Sequence, residues 1–409
     1  MLFLVYVFNF IDRTILAILL EPIKRDLGIS DTAMGFLTGF AFAAFYTVAG
    51  IPIARWADRG VRRSIIAMGL AVWSLLTALS GLAQNFVHLA LARVGVGVGE
   101  AAGSPPAHSI LSDYFPVEKR ATAISIYNTG IHVGIMIGAV AGGWINQFFS
   151  WRAAFFVVGL PGILLAVVVR FTIHEPTRGH SEVGPRDDSS DALGDVLRYL
   201  LRRRSFVYFA LAAGVTEIAG YGFTTWVPAF LIRVHGMETG AIGTWLGLVS
   251  GLGGASGALL GGFMADRLGR RDVRWYLWLG VVTNAATLPC LLLFLHASSK
   301  VAALVAYFPA LALWAMYLGP VIAISHRLVK LRMRAMASAI LFFILNIIGM
   351  GIGPQLTGLM NDLLAPRFGV EAIRWSMTIT TFGLVIATLL FWLGSRALVA
   401  DLAKSDSPA

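Results

Sequence analysis

The sequence has few charged residues and almost no cysteine. Only 13% of its 409 residues are charged and 57% are hydrophobic, whereas soluble domains carry about 25% charged residues. Because the mean hydropathy is also high, at +0.76, most of the chain is expected to lie in lipid. The single cysteine, Cys290, excludes an intrachain disulfide.

The sequence also lacks the residue patterns of an enzyme or a metal site. It has no cluster of cysteines and histidines and no nucleophile placed beside a base. Gly95, Gly97 and Gly99 are spaced as in a dinucleotide-binding loop, but no strand is predicted before them. We therefore predict no enzymatic activity, no metal and no cofactor.

Long apolar runs dominate the sequence instead, and twelve of them are long enough to cross a bilayer as helices. These segments are 1–20, 32–54, 64–84, 86–111, 121–146, 152–173, 205–232, 239–263, 274–296, 300–326, 335–361 and 372–396. The predicted fold is an all-α membrane protein with twelve transmembrane helices in two six-helix bundles around a central cavity. The predicted domains are the first bundle 1–173, a linker 174–204, the second bundle 205–396 and a tail 397–409. Between Leu193 and Arg204, the linker sets leucines and a valine against four arginines, which predicts an amphipathic helix on the membrane surface.

The basic residues indicate the orientation of the chain. The net charge of +10 does not indicate nucleic-acid binding, because Lys and Arg lie in short loops between apolar segments. Of the 32 Lys and Arg, 23 lie on the side of the linker and 7 on the other side. Since positive loops remain in the cytoplasm, the linker and both termini are predicted to be cytoplasmic, in a multi-pass protein of the inner membrane.

Two basic loops repeat each other. Residues 54–63 read ARWADRGVRR and residues 262–271 read GFMADRLGRR, and each follows the second helix of its half. Two six-helix repeats with a cytoplasmic linker are typical of transporters that work by alternating access. We predict that these loops form a cytoplasmic gate whose residues are Asp58, Arg59, Arg62, Arg63, Asp266, Arg267, Arg270 and Arg271.

The second of these loops resembles the signature loop of the major facilitator superfamily, while the first departs from it at Ala54 and at Gly60-Val61. Three further stretches resemble the Spinster group of that superfamily: NFIDR at 9–13, RVGVGVGEA at 93–101 and HEPTRG at 174–179. This resemblance implies a transporter of lysolipids or sphingoid phosphates, driven by protons in bacterial members.

Ionisable residues inside the predicted helices are the candidate site. Charges at membrane depth face the protein interior or a cavity and are usually functional. Arg93 and Glu100 are seven residues apart, which places them two turns apart on nearly the same helix face, so we expect them to pair; the alternative is a static ion pair that only fixes helix rotation. We predict that Asp12 and Glu100 carry the coupling proton. The predicted substrate-binding residues are Arg13, Arg93, His132 and Glu217.

The second half contributes few buried charges and many aromatic residues. A cavity with one charged and one apolar wall suits an amphiphilic anion. The aromatic residues that would form the apolar wall are Tyr221, Phe223, Trp226, Trp314 and Tyr317, although core packing is the alternative for each. The predicted function is proton-coupled transport of a lipid-like anion by a monomer in contact with membrane lipids. The alternatives are transport of a small organic anion or a drug, and a non-transporting receptor.

Overall fold

The computed structural model describes residues 1–177, 193–330 and 333–405. Twelve helical spans follow one another in this part of the chain, and we number them α1 to α12. They are α1 (Leu2–Ile18, continued by Leu20–Leu27), α2 (Asp31–Arg59), α3 (Arg62–Ser80), α4 (Phe86–Tyr114), α5 (Val117–Phe148), α6 (Trp151–Thr172), α7 (Arg204–His235), α8 (Thr239–Gly269), α9 (Trp275–His296), α10 (Lys300–Arg327), α11 (Arg334–Ile344, Leu345–Ile352 and Gly353–Phe368) and α12 (Ala372–Thr381 and Gly383–Ser405).

The number of spans follows from their lengths. Ten helical stretches of the described chain are long and apolar enough to cross a membrane, and the bent α1 adds an eleventh. The last stretch, Met336–Lys404, has 69 residues. A straight helix of that length would measure about 100 Å, whereas a bilayer core is about 30 Å thick. The chain turns at Gly369, where φ is +56°, so this stretch holds two spans. The predicted twelve-helix membrane fold is confirmed.

The two bundles meet along three helix pairs. Helix α5 packs on α8, α2 packs on α11, and α1 packs on α7. Glycines allow the closest of these approaches. A Cβ added at Gly35 of α2 would lie 2.9 Å from the Cα of Gln355 in α11, which is closer than packed atoms allow. Small residues therefore let backbones of the two bundles touch, as is common between membrane helices.

Several spans are broken near their middle, where backbone groups lie inside the protein. Helix α4 stops at Glu100 and restarts at Ser104, before two prolines. Helix α11 contains a π-helical segment, Leu345–Ile352, which packs against both α7 and α2. Interruptions of this kind at membrane depth are tolerated where the backbone is buried in protein or lines a cavity. The π-helical segment of α11 therefore lies where the two bundles meet, whereas the break in α4 is buried against α3 inside the first bundle.

The linker helix, Leu193–Leu201, differs from its predicted placement. Val196 and Leu200 are buried in the apolar core of the second bundle, at 1% and 0% exposure, instead of facing lipid. Leu197 and Leu201 remain exposed. The helix is amphipathic, but half of its apolar surface fixes it to the protein. We call the side of the molecule that carries residues 173–177 and 193–203 the linker face and the other side, with residues 28–30 and 369–371, the opposite face.

Candidate functional site

The central ion pair joins α1 to α4. Arg13 Nε donates to Glu100 Oε2 at 2.7 Å, and the Glu100 side chain is completely buried while that of Arg13 is 22% exposed. Glu100 is the last residue of the first half of α4, and its side chain contacts Arg13 of α1. The expected pairing of Glu100 with Arg93 is therefore wrong. Its ion-pair partner is instead Arg13, which lies 87 residues away on α1.

Arg93 is buried beside this pair with unused donors. It is 2% exposed, and its Nε and Nη1 atoms have no hydrogen-bond partner among the residues that the structure describes. Its guanidinium carbon lies 5.7 Å from the centroid of the Phe42 ring, and that of Arg13 lies 4.8 Å from the same ring. The Phe10 and Tyr46 rings also face Arg13, at 5.1 and 4.9 Å. Two guanidinium groups thus share one aromatic wall.

Carboxylate oxygens near the two arginines are also unpaired. Asp12 is 2% exposed and Glu100 is 1% exposed. Asp12 Oδ1, Glu100 Oε1 and Asn9 Oδ1 are buried without a hydrogen-bond partner in the described part of the chain. Most buried polar atoms in native proteins are hydrogen-bonded, so several unpaired atoms in one place require an explanation. We call Asp12, Arg13, Arg93 and Glu100 the buried charge cluster. Because some donors and acceptors of its two arginines and two carboxylates are unpaired, binding of a proton or an anion can change which arginine pairs with which carboxylate.

The glycines of α4 explain how these charges reach the interior. A Cβ on Gly97 would lie 3.0 Å from the carbonyl oxygen of Phe42, and one on Gly99 would lie 2.9 Å from the backbone nitrogen of Trp73. Because both positions lack a side chain, α4 packs closely on α2 and α3. This contact turns the Arg93 side of α4 inward. It also explains why glycines recur in the RVGVGVGEA stretch.

The two predicted site residues outside the cluster occupy separate places. Glu217 of α7 is 6% exposed and accepts a hydrogen bond from Tyr317 Oη. It packs against Gly349 in the π-helical segment of α11. His132 lies at the α5–α8 contact beside Gly254, and its Nδ1 has no partner among the described residues.

The predicted aromatic wall is only partly present. Phe223, Trp226 and Tyr317 are at most 2% exposed and pack in apolar cores, so they do not present an exposed wall. Trp314 packs across Gly220 inside the same bundle. Tyr221 differs from these four, since it packs against an apolar cluster of the first bundle.

The family can now be established by comparison. Residues 2–354 match the model of the Major Facilitator Superfamily. The chain belongs to the major facilitator superfamily. It is a multi-pass membrane transporter, which excludes the enzyme classes considered from its sequence.

Individual relatives support the finer resemblance. The transporter is 34% identical to an MFS-type efflux pump of Mycolicibacterium smegmatis, over 98% of this chain and 92% of the relative. It is 30% identical to a probable galactarate/D-glucarate transporter of Bacillus subtilis, over 66% of this chain and 64% of the relative. The crystal structure of a bacterial homolog of the human lysosomal transporter Spinster, in an inward-facing and unoccupied conformation, matches with a TM-score of 0.91 at 32% identity, covering 100% of this chain and 98% of that one. The resemblance to the Spinster group is thereby confirmed.

One predicted gate residue of the transporter, Arg62, has a role inside the first bundle. It is 1% exposed, and its Nε donates to Glu175 Oε1 at 2.8 Å while its Nη1 donates to Asp113 Oδ2 at 2.5 Å and Ser109 Oγ at 2.7 Å. Glu175 Oε2 also accepts from the backbone nitrogen of Arg63 at 2.9 Å. Glu175, in the described part of the HEPTRG stretch, thus ties the chain after α6 to the start of α3, and Arg62 ties α3 to the end of α4. Arg62 is committed to these partners and not to Asp58.

The two gate carboxylates, Asp58 and Asp266, form no ion pair with the other bundle among the described residues. Among the described residues, neither Asp58 nor Asp266 forms an ion pair with an arginine of its own or of the other loop. Tyr276 Oη lies 3.5 Å from Asp266 Oδ1. The remaining predicted gate residues are Arg59, Arg267, Arg270 and Arg271. The gate assignment stays a prediction, and it concerns a conformation in which these loops meet.

The opposite face carries a charge network that the sequence did not reveal. Arg233 of α7 binds Glu21 of α1, with Nε donating to Oε2 at 2.7 Å, and binds Asp31 of α2 through Nη1 and Nη2 at 2.5 and 2.8 Å. In return, Asp362 of α11 accepts hydrogen bonds from the backbone nitrogens of Asp31 and Thr32, at 3.1 and 2.7 Å. We call these five residues the opposite-face latch. Its partners are 202 to 331 residues apart, and no local pattern marks them.

The latch defines the conformation of the transporter. Hydrogen bonds between the bundles in the described residues all join helix ends at the opposite face. Besides the latch, they include bonds from α8 to α5, such as Gly240 N donating to Gln147 Oε1 at 2.9 Å. In the described residues the two bundles are therefore hydrogen-bonded to each other at the opposite face and not at the linker face.

Proposed function

We propose that this transporter couples proton movement to the transport of an amphiphilic anion by alternating access. The observation that carries the proposal is the buried charge cluster. In it, Arg13 is paired with Glu100 while Arg93 keeps two donors without a partner among the described residues. Guanidinium groups bind carboxylate and phosphate through paired hydrogen bonds, so a buried arginine with free donors is suited to hold an anionic head.

Charge balance links the proton to the anion. With Asp12 and Glu100 ionised, their two negative charges balance Arg13 and Arg93. A proton on Glu100 weakens its pairing with Arg13 and leaves one positive charge in excess. An anionic group then restores neutrality. Since unbalanced charge is costly at low dielectric, proton binding and anion binding favour each other, and this coupling is reciprocal.

The surroundings of the cluster support a substrate with both a charged head and an apolar part. The Phe10, Phe42 and Tyr46 rings surround Arg13, and Tyr221 approaches from the second bundle. The resemblance to the Spinster group implies lysolipids or sphingoid phosphates as the substrate class. The second candidate is a small organic anion such as a sugar diacid, which is supported by the relative named for galactarate and glucarate transport.

Two further proposed substrate contacts are Glu217 of α7, in the second bundle, and His132 of α5, in the first bundle. The Glu217 carboxylate accepts a hydrogen bond from the Tyr317 hydroxyl. We propose that it binds a polar or cationic group of the substrate. We propose that the transporter works as a monomer, with protons, a small-molecule or lipid-like substrate and membrane lipids as its partners.

We place the linker face and both termini in the cytoplasm of an inner membrane. The support is the distribution of Lys and Arg, with 23 on that side and 7 on the other. The loops around Asp58 and Asp266 are then proposed to meet in the conformation in which the opposite face is open. Because such a contact stabilises only one conformation, we expect Asp58→Asn or Asp266→Asn to enrich molecules that are open at the linker face, with substrate binding retained. Unchanged spin-label distances across the linker face in both variants would leave these loops with a role in topology alone.

Proton coupling is tested with the purified transporter in proteoliposomes under an imposed pH gradient. Lysolipids, sphingoid phosphates, galactarate and hexuronates are supplied as substrates. We expect Asp12→Asn or Glu100→Gln to abolish proton-driven flux while the protein still folds. Glu371→Gln is the matched control, since this carboxylate is 44% exposed and pairs locally with Arg374. Wild-type pH dependence in both cluster variants would reject proton coupling at these residues, and an absence of flux for every substrate would favour the receptor alternative.

The role of Arg93 is tested by binding. Arg93→Lys keeps the positive charge but loses the planar fork that matches a carboxylate or phosphate. We expect weaker binding with lysine and none with Arg93→Ala. Equal binding by the wild type and Arg93→Ala would mean that Arg93 only fixes the rotation of α4.

A further inference from the structure

The linker helix forms one wall of a basic groove at the linker face. The groove lies between this helix, the start of α11 and the end of α12, and its volume is about 630 Å³. Its lining residues are Asp195, Arg198, Tyr199, Arg202, Arg203, Met333 and Lys404. Four cations and one carboxylate give this lining a formal charge of three positive. The volume is within the range of about 300–1,000 Å³ that is usual for small-molecule sites.

One of these cations, Arg203, is fixed and buried. It is 8% exposed, and its Nη2 donates to Tyr199 Oη at 2.7 Å while its Nη1 donates to the Asp401 carbonyl at 3.2 Å. Its guanidinium also lies 4.7 Å from the centroid of the Tyr199 ring. These partners are uncharged groups, so the positive charge of Arg203 contributes to the potential of the groove. A guanidinium held in one position gives an anion a fixed positive charge to bind against.

The other cations are exposed and able to turn towards a ligand. Arg198 and Lys404 are each 68% exposed in their side chains, and their partners are Asp195 and Asp401 at 3.2 and 3.8 Å. Exposed pairs of this kind contribute little stability. Arg202 is also exposed. An anion in the groove can therefore recruit them at small cost.

The exposed leucines indicate that the ligand is a lipid. Leu197 and Leu201 are 39% and 58% exposed and lie one turn apart on the linker helix. Arg198 and Arg202 form the adjacent stripe, also one turn apart. The helix rests on the ends of α7 and α11, where these spans leave the membrane. An apolar stripe beside a basic stripe at that depth is the pattern of a helix at a lipid interface.

We propose that this groove binds the phosphate headgroup of an anionic phospholipid from the leaflet at the linker face. Arg198, Arg202 and Lys404 contact the phosphate around the fixed Arg203, because guanidinium forks suit phosphate oxygens. The acyl chains lie along Leu197 and Leu201. Bound lipid ties the linker to the end of α12. This site is separate from the central space and does not depend on the identity of the transported substrate.

The test measures lipid retained by the full-length transporter, by native mass spectrometry in detergent with added phosphatidylglycerol. The variant is Arg198→Gln with Arg202→Gln. Each cation near an anionic surface contributes about fivefold in affinity, so we expect binding to weaken by about thirtyfold. The matched control is Arg55→Gln with Arg170→Gln, which removes two exposed arginines elsewhere on the chain. We expect that control to bind as the wild type does.

Two further arms separate a lipid from a free phosphate. Glycerol 3-phosphate carries the head chemistry without acyl chains and is expected not to displace the lipid at millimolar concentration. Leu197→Ser with Leu201→Ser is expected to weaken phosphatidylglycerol binding, although this variant keeps Arg198 and Arg202. Undiminished lipid binding in the Arg198/Arg202 variant, or an equal loss in the arginine control, would overturn the site. Displacement by glycerol 3-phosphate at low concentration would overturn the lipid assignment in favour of a soluble phosphate ligand.

Discussion

Replacing Arg233 by glutamine is expected to open the opposite face of the transporter. Arg233 is the one residue of the second bundle that binds both Glu21 and Asp31 of the first in the described structure. The substitution keeps a hydrogen-bonding side chain but removes the charge. Lys24 remains beside Asp31, at 2.5 Å, and Asp362 still accepts from the start of α2. The latch is weakened and not abolished.

The size of the effect follows from burial. The side chains of Arg233, Glu21 and Asp31 are 11%, 6% and 3% exposed. Removing one member of a buried ion pair costs about 3–5 kcal/mol, because the remaining charge is left unbalanced. Because Lys24 still balances part of the charge on Asp31, we take the lower value of about 3 kcal/mol as the cost of the substitution to the closed opposite face. When the opposite face is open, the same groups are hydrated and the substitution costs little. Since 1.4 kcal/mol is one decade, the ratio of open to closed opposite faces should rise roughly a hundredfold.

Spin-label distances across each face of the reconstituted transporter measure this ratio. We expect distances across the opposite face to lengthen and distances across the linker face to shorten in Arg233→Gln. Arg367→Gln is the matched control, because Arg367 lies on the same face, is exposed and stacks on the neighbouring Phe368 ring at 5.4 Å. Asp362→Asn keeps one acceptor and loses a charged helix cap worth about 1 kcal/mol, so a shift of several-fold is expected.

The reasoning fails if Arg233→Gln and Arg367→Gln give the same distance distributions as the wild type. It also fails if Arg233→Gln changes both faces in the same direction, because that result indicates unfolding and not a shift between two conformations. Thermal unfolding of each variant, followed by tryptophan fluorescence, separates the two cases.

Two other substitutions test the packing around the site. Glu175→Gln removes one of the two carboxylates that hold buried Arg62, and we expect the free energy of unfolding to fall by about 1–3 kcal/mol; the exposed Glu371→Gln is its control, and equal stabilities would contradict the role of the HEPTRG stretch. Gly349→Leu places a side chain against Glu217, where even a Cβ meets the neighbouring helix. We expect this overpacking to cost about 1–3 kcal/mol or more and to lower the unfolding temperature, whereas an unchanged temperature would show that α7 and α11 separate easily.

The sequence alone determined the class of the protein, because lipid imposes a requirement that each span meets by itself. A helix satisfies its own backbone hydrogen bonds, so length and hydropathy are enough to locate it. For the same reason, the rare charges inside these spans, such as Asp12, Arg93 and Glu100, could be singled out as site residues before any helix was placed. The repeated loops at 54–63 and 262–271 and the NFIDR and RVGVGVGEA stretches led to the superfamily and to the Spinster group.

Only the tertiary structure decided which of these charges meet. Spacing along α4 put Arg93 and Glu100 on one side of a helix, but in the folded protein the Glu100 carboxylate pairs with Arg13 of α1. The opposite-face latch could not be predicted from the sequence for a related reason. Arg233 finds Asp31 at a distance of 202 residues, and contacts of that kind depend on how two separately stable bundles dock. The period of a helix fixes the position and direction of a side chain on its own span, whereas its partner is fixed by the packing of whole helices against one another.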